Sequence, residues 1–159
     1  LCLSKGLSGG YLPLSVVMTT DMIFQAFYDD RTARAFLHSH SHTGNALACR
    51  AALATLELIE RNQVLETNQH KAAHMNSLVA ALTEHPKVRH FRHCGMIWAF
   101  DVDTQDVDFA AKCFQAGLQQ QLLLRPLGKT IYFMPPYVIT EDEMQLLVAG
   151  TRQVLDTLL

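Results

Sequence analysis

Two consecutive helical patterns, from Asn45 to Asn62 and from Gln63 to His85, divide this 159-residue chain into two parts of different character. Asn45 can cap the first helix, and leucines follow it at the spacing of one helix face. The second pattern ends before Pro86, because a proline disfavours helical geometry in the residue that precedes it. Beyond Pro86 the period of the apolar residues changes. We therefore predict an α/β chain: the end of a parallel-sheet domain, a long connecting helix and, from about residue 63, a smaller α+β domain.

Shorter patterns predict the elements on either side of these helices. Leu1 to Ser4 and Tyr11 to Thr19 predict two strands, and Met22 to Tyr28 predicts a short amphipathic helix. The later patterns predict, in chain order, strands at Val88–His93 and Met96–Val102, a helix at Val107–Gln119, strands at Leu122–Leu124 and Thr130–Met134, and a last helix from Thr140. Thr140 and Glu143 have the spacing of a capping box, so we expect them to close the start of that helix.

The charge balance and the cysteines exclude several classes of protein. The chain has 13 Lys and Arg against 15 Asp and Glu, with no basic block, so nucleic acid and anionic membrane surfaces are poor candidates for partners. No apolar stretch approaches membrane-spanning length, and the first residues do not have the pattern of a signal peptide. The four cysteines are widely spread without a C-x-x-C pair, which favours reduced thiols in a cytoplasmic protein.

Lys5 directly follows the first predicted strand and precedes Gly6 and a Gly9-Gly10 pair. Open α/β sheets bind ligands at the carboxyl ends of their strands. The glycines leave room for a flat, bulky group close to the backbone. A lysine amine in such a place can act as a nucleophile toward carbonyl compounds. A solvated surface lysine is the alternative that these residues alone leave open.

Alternating histidines and hydroxyl residues precede the first long helix, in the order His38-Ser39-His40-Ser41-His42-Thr43-Gly44-Asn45. The hydroxyls, together with backbone N–H groups before a helix N-terminus, predict an anion site suited to phosphate. A loop whose hydroxyls only cap the helix is an equally good interpretation. The three histidines could instead converge on a metal ion, but no carboxylate or thiol at ligand spacing accompanies them. We therefore predict no metal site.

Arg125 follows an apolar run and precedes Pro126, so its guanidinium is expected to project from a rigid backbone. A planar guanidinium in that setting suits bidentate binding of a carboxylate. An ordinary ion pair with an internal acid is the alternative interpretation. Tyr132, on the next predicted strand, could place a phenol near the same position, and a buried tyrosine bonded to backbone is its alternative.

These three segments together resemble the class III aminotransferases, fold-type I enzymes that use pyridoxal 5′-phosphate (PLP). The resemblance rests on Ser4-Lys5-Gly6 with its following glycine pair, on the segment from His38 to Asn45, and on Arg125 to Tyr137. The segments occur in the order and spacing of that family and span essentially the whole chain. Within the family, the Arg125 to Tyr137 segment is most similar to the branch that acts in biotin synthesis.

The resemblance implies a role for each of the motif residues. Lys5 would be the Schiff-base lysine that carries PLP. Ser41 would reach the PLP phosphate of a neighbouring subunit, with Ser39 and His40 flanking that contact. Arg125 would hold the carboxylate of the oxo-acid substrate, and Tyr132 would line the pocket of the amino donor. Substrate binding would thus involve Gly6, Ser39, Arg125 and Tyr132.

The resemblance also implies the context of the chain. Residues 1–62 would be the remainder of the large PLP-binding domain with its linking helix, and residues 63–159 the small C-terminal α+β domain. A composite site requires a symmetric homodimer. The family's glycine-serine loop, ring-stacking aromatic and pyridine-binding aspartate would lie upstream of the lysine. We therefore expect a carboxy-terminal portion of a longer polypeptide, unable to transaminate alone.

The implied reaction transfers an amino group from S-adenosylmethionine to 8-amino-7-oxononanoate, both small molecules. An acetylornithine, 4-aminobutyrate or other ω-amino acid aminotransferase is the alternative within the family. A truncated copy that serves only as a dimerisation module is the non-catalytic alternative, and a histidine-based metal module is a third.

Overall fold

A computed structural model describes the whole chain, residues 1–159, as two compact units, Leu1–Gln63 and Val64–Leu159. In the first unit, strand β1 (Cys2–Leu3) pairs antiparallel with β2 (Val16–Val17). A 3-10 helix at Lys5–Ser8 follows β1 directly, and helix α1 (Asp21–Phe27) and a second 3-10 helix at Thr32–Arg34 follow β2. Helix α2 (Ala46–Arg61) completes this unit.

The predicted strand at Tyr11–Thr19 is wrong except at Val16–Val17. At the start of this segment the backbone forms turn hydrogen bonds instead of bonds to a neighbouring strand. The Tyr11 N–H, for example, donates to Ser8 O at 3.2 Å. The Ser8 hydroxyl in turn donates to the carbonyl oxygen of Leu12. The residues have strand propensity, but β1 offers only two residues with which to pair.

The predicted start of α2 is confirmed, and its end lies one residue before the prediction. The Asn45 Oδ1 atom accepts a hydrogen bond from Ala48 N at 3.0 Å, which satisfies one of the free N–H groups of the first turn. The helix packs against the Lys5–Ser8 helix, and its buried residues are the small Ala48 and Ala52. Its leucines at 47, 53 and 56 stay exposed, so this unit has almost no apolar core of its own.

The second unit is a layer of helices on one face of a three-stranded antiparallel sheet. Its elements are α3 (Val64–Thr83), β3 (Val88–Cys94), β4 (Ile97–Val102), α4 (Phe109–Gln119), β5 (Thr130–Phe133) and α5 (Glu141–Leu158), and the sheet order is β3-β4-β5. Alternate sheet residues, such as Trp98, Phe100 and Ile131, are fully buried in the core that the helices share. The capping box predicted at the start of α5 is confirmed: Thr140 and Glu143 bond each other reciprocally.

The predicted strand at Leu122–Leu124 is wrong, because this segment is irregular. The N–H of Leu122 donates to Gly117 O at 2.9 Å, so it closes the end of α4 and is not available to a ladder. Leu122 and Leu124 are nevertheless buried. They pack against glycines of α4 and α5, where the missing side chain leaves room for them. A Cβ added to Gly150 of α5 would lie only 2.7 Å from the Leu122 Cδ1 atom. None of the helices has the length and apolarity needed to cross a membrane.

We expect the stability of the second unit to rise with pH because of His85, which is buried between α3 and β3. The pKa of His85 is lowered, mainly because the ring is buried and secondly because of the charge of Arg152. The charge of Asp156 acts in the opposite direction and raises this pKa, but it is outweighed. Its Nδ1 atom also accepts from Lys87 N at 3.1 Å, a bond that protonation there would break. An unfolded histidine titrates near pH ~6.5, so the unfolded chain binds more protons just below that pH.

The free energy of unfolding should therefore be greatest above pH ~6.5 and fall as the pH drops through the lowered pKa of His85. Urea unfolding at several pH values between 5 and 8 measures this slope. The variant His85→Gln, which cannot be protonated, is the control and should show a shallower slope. An equal slope in the two proteins would assign the pH dependence to other groups.

Candidate functional site

Lys5 is the first residue of the 3-10 helix, and its amine makes no hydrogen bond or ion pair within the chain. Its φ of 53° lies in the left-handed region, which is uncommon for a residue other than glycine. The backbone after it is held: Gly9 N donates to Gly6 O at 3.0 Å, and Ser8 is buried. A Cβ added to Gly6 would meet no atom within 4 Å. A fixed backbone thus presents a free amine beside open space.

In the segment before α2, from His38 to Asn45, some hydrogen-bonding groups bond within the chain and others have no partner. His40 N donates to Thr43 Oγ1 at 3.1 Å, Thr43 N donates to His40 O at 3.0 Å, and His42 N donates to His40 Nδ1 at 3.1 Å. The hydroxyls and backbone N–H groups of Ser39 and Ser41 have no partner in the chain and are exposed. Four donors therefore remain free just ahead of a helix N-terminus, an arrangement that suits an anion.

The structure does not gather His38, His40 and His42 into a metal site. His40 Nδ1 is occupied by the His42 N–H, and His38 packs edge-on against Phe36 with ring centroids 5.7 Å apart. No three His, Cys, Asp or Glu side chains in the chain lie together in a geometry that could hold a metal ion.

In the second unit, Arg125 and Tyr132 flank a tight turn. The backbones of Leu127 and Thr130 exchange two hydrogen bonds, Leu127 N to Thr130 O at 2.9 Å and Thr130 N to Leu127 O at 3.0 Å. Gly128 occupies the left-handed region within this turn, with a φ of 60°. Arg125 is exposed and belongs to no ion pair, so the internal pairing left open by the sequence is not formed. The half-buried Tyr132 makes no hydrogen bond through its hydroxyl.

A polar network next to Tyr132 was not predicted from the sequence. Asp101 of β4 accepts hydrogen bonds from Thr130 Oγ1 at 2.7 Å and from Arg92 Nη2 at 3.2 Å, and its other oxygen lies 3.0 Å from His90 Nδ1. These residues come from all three strands of the sheet. Alternation along β4 hints that Asp101 faces outward, but its partners depend on a pairing register that the sequence does not state.

Comparisons with known proteins point to one family. A family profile described as aminotransferase class-III matches residues 1–155. The chain is 48% identical over 164 aligned residues to the adenosylmethionine-8-amino-7-oxononanoate aminotransferase of Helicobacter pylori, covering 99% of this chain and 38% of that protein. It is 38% identical to the protein of the same name from Synechococcus elongatus, covering 98% of this chain and 37% of that one. The chain thus spans less than two fifths of the length of these relatives.

The fold is similar to that of solved aminotransferases. The adenosylmethionine-8-amino-7-oxononanoate aminotransferase of Methanocaldococcus jannaschii superposes with a TM-score of 0.88 at 31% identity, covering 98% of this chain and 38% of that one. An aminotransferase of Bacillus anthracis superposes with a TM-score of 0.87 at 24% identity, over 99% of this chain and 38% of that one, which supports the fold alone. The predicted fold class and family resemblance are confirmed.

Proposed function

Because this chain belongs to the class-III aminotransferase family, we propose that it provides part of the active site of a PLP-dependent enzyme that transfers an amino group from S-adenosylmethionine to 8-amino-7-oxononanoate. The observation that carries this proposal is the 48% identity, over 99% of the chain, to a protein named for that reaction. The relatives with 38% and 36% identity from Synechococcus elongatus and Aquifex aeolicus have the same name. In this proposal the protein acts in biotin synthesis, in the cytoplasm.

The residues of the first unit fit PLP in their chemistry. PLP, when bound, supplies an electron sink for amino-group transfer. Lys5 offers a primary amine without a competing partner, at a position where Gly6 leaves space close to the backbone. In the proposed role, Lys5 Nζ would hold the cofactor covalently, and its amine, when free, would carry the proton that is moved to and from the substrate carbon.

Ser39, His40 and Ser41 are proposed to bind the cofactor's phosphate in a neighbouring subunit. The free hydroxyls and N–H groups of Ser39 and Ser41 can donate to phosphate oxygens, and the adjoining N-terminus of α2 favours negative charge. His40 shapes the turn through its ring and backbone. A site shared in this way needs a homodimer. The large apolar side chains that the first unit leaves exposed, such as Tyr11, Met22 and Leu37, support extensive packing against further protein.

Arg125 and Tyr132 are proposed to recognise the substrates. The Arg125 guanidinium has no internal partner, so its paired N–H donors are available to the carboxylate of the oxo acid. The Tyr132 hydroxyl is also free and can bond to the amino donor. In the proposed assembly, residues 1–62 complete the large domain and residues 63–159 form the small domain that carries these two side chains.

The choice of amino donor tests the proposed reaction. The full-length protein, loaded with PLP and 8-amino-7-oxononanoate, is offered S-adenosylmethionine, glutamate or 4-aminobutyrate, and 7,8-diaminononanoate is measured by mass spectrometry. We expect product with S-adenosylmethionine and at least about tenfold less with the other donors, since a site that bonds one donor's polar groups rejects analogues lacking them. Product from glutamate but not from S-adenosylmethionine would contradict the proposed donor. The absence of product with every donor would contradict the proposed reaction and favour another aminotransferase of the family or a non-catalytic module.

A further inference from the structure

We propose that Asp101 and Thr130 are positioning residues that hold the substrate-binding side chains Arg125 and Tyr132 in place, an inference that rests on the proposed function. Neither residue is expected to touch a substrate. The inference begins from the location of Thr130, which lies five residues after Arg125 and two before Tyr132.

Thr130 joins the turn that follows Arg125 to the sheet that carries Tyr132. Its backbone closes the turn with Leu127 and stands opposite Asp101 in the register of β4 and β5. Tyr132 stands opposite Ala99 in the same register. Because strand side chains alternate between faces, Thr130 and Tyr132 lie on one face, opposite to the buried Ile131 and Phe133. Thr130 therefore links the turn that follows Arg125 to the sheet face that carries Tyr132.

The side chain of Thr130 is anchored by a bond of 2.7 Å to the Asp101 carboxylate. Bonds to a charged acceptor are stronger than bonds between neutral groups. Asp101 is two-thirds buried and is itself held by Arg92 and His90 from β3. The Thr130 hydroxyl is the largest cause that keeps the pKa of Asp101 below its usual range, with His90 and Arg92 adding to it. The carboxylate is therefore ionised at neutral pH and fastens β5 to the rest of the sheet.

The backbone of β3 is irregular at the residues whose side chains reach Asp101. The register shifts between Arg89 and Arg92, and His90 adopts a left-handed φ of 49° there. Bulges of this kind redirect side chains, and a non-glycine residue in this region is strained. Arg92 Nη1 donates to the His90 carbonyl oxygen at 2.8 Å, which holds the bulge. Both His90 and Arg92 reach Asp101 as a result.

The test removes one hydroxyl with almost no change of shape. In the full-length enzyme, Thr130→Val should raise the KM for S-adenosylmethionine and 8-amino-7-oxononanoate by about tenfold, with kcat within about twofold, because the binding groups are displaced while Lys5 is untouched. Thr130→Ser retains the hydroxyl and should restore both KM values. Thr157→Val, which removes a helical hydroxyl bonded to Gln153 O on α5, is the matched control and should behave as wild type.

Hydrogen exchange gives a readout that does not depend on activity. In the full-length protein, Thr130→Val should lower the protection of the amides of Thr130–Phe133 by about tenfold while α5 keeps its protection. Unchanged protection of β5, or a loss spread equally over α5, would overturn the positioning role. So would unchanged KM values in an active enzyme. If the wild-type enzyme shows no transamination with any of the donors tested, the proposed function fails. Hydrogen exchange alone then decides the role of Thr130.

Discussion

Replacing Lys5 by alanine in the full-length protein should reduce transamination by at least about a thousandfold. The side chain has two proposed tasks, covalent attachment of PLP and proton transfer at the substrate carbon, and positioned acid–base groups alone contribute about 10²–10⁴-fold to rate. Its amine is free in the chain, so the substitution removes no internal hydrogen bond or ion pair. The loss should therefore appear in kcat and leave the stability of the fold nearly unchanged.

Two further variants separate the chemistry of Lys5 from its charge. Lys5→Arg keeps a positive charge, but a guanidinium stays protonated and cannot attack a carbonyl, so it should be as inactive as Lys5→Ala. Lys87→Ala removes a lysine whose side chain makes no bond in the chain, and it should retain activity. Product formation is followed by mass spectrometry and stability by thermal unfolding. Activity of Lys5→Ala close to that of wild type would refute the assignment of Lys5.

Helix ends were the features best predicted from the sequence, because their determinants are local. Asn45, which precedes an alanine-rich run, bonds to a residue only three positions along the chain, and so does Thr140 in its pair with Glu143. The hairpin around Gly95 is local in the same sense, since a glycine with a φ of 57° turns the chain there. Elements of this kind need no knowledge of the rest of the fold.

Strands and side-chain partners were predicted less well, because they depend on residues distant in the sequence. Leu122–Leu124 and Tyr11–Thr19 have apolar residues that suit a strand, yet neither segment finds a full partner in the chain. The motif residues Lys5 and Arg125 were singled out from their local sequence, and the resemblance implied their specific roles. Asp101 was missed, since its bond to Thr130 spans 29 residues and follows from the register of two strands. Propensity does not specify such a register.

Replacing Trp98 by alanine should destabilise the second unit by about 3–5 kcal/mol, the usual cost of truncating a large buried aromatic residue. Trp98 is fully buried in the core, and its Nε1 atom donates to Asn76 Oδ1 at 2.7 Å. The ring also stacks on His93, with centroids 5.5 Å apart. Since a domain of this kind has only about 5–15 kcal/mol of total stability, the substitution should remove a large part of it.

The adjacent Ile97 provides the matched control, because it belongs to the same strand but is 46% exposed on the opposite face. Ile97→Ala should cost less than about 1 kcal/mol. Urea unfolding is followed by far-ultraviolet circular dichroism, since Trp98 is the single tryptophan and its fluorescence is lost in the variant. The unfolding midpoint of Trp98→Ala should fall by about 2 M, given the usual slopes for small proteins. A fall no larger than that of Ile97→Ala would show that the helices and sheet of this unit do not depend on the packing of Trp98.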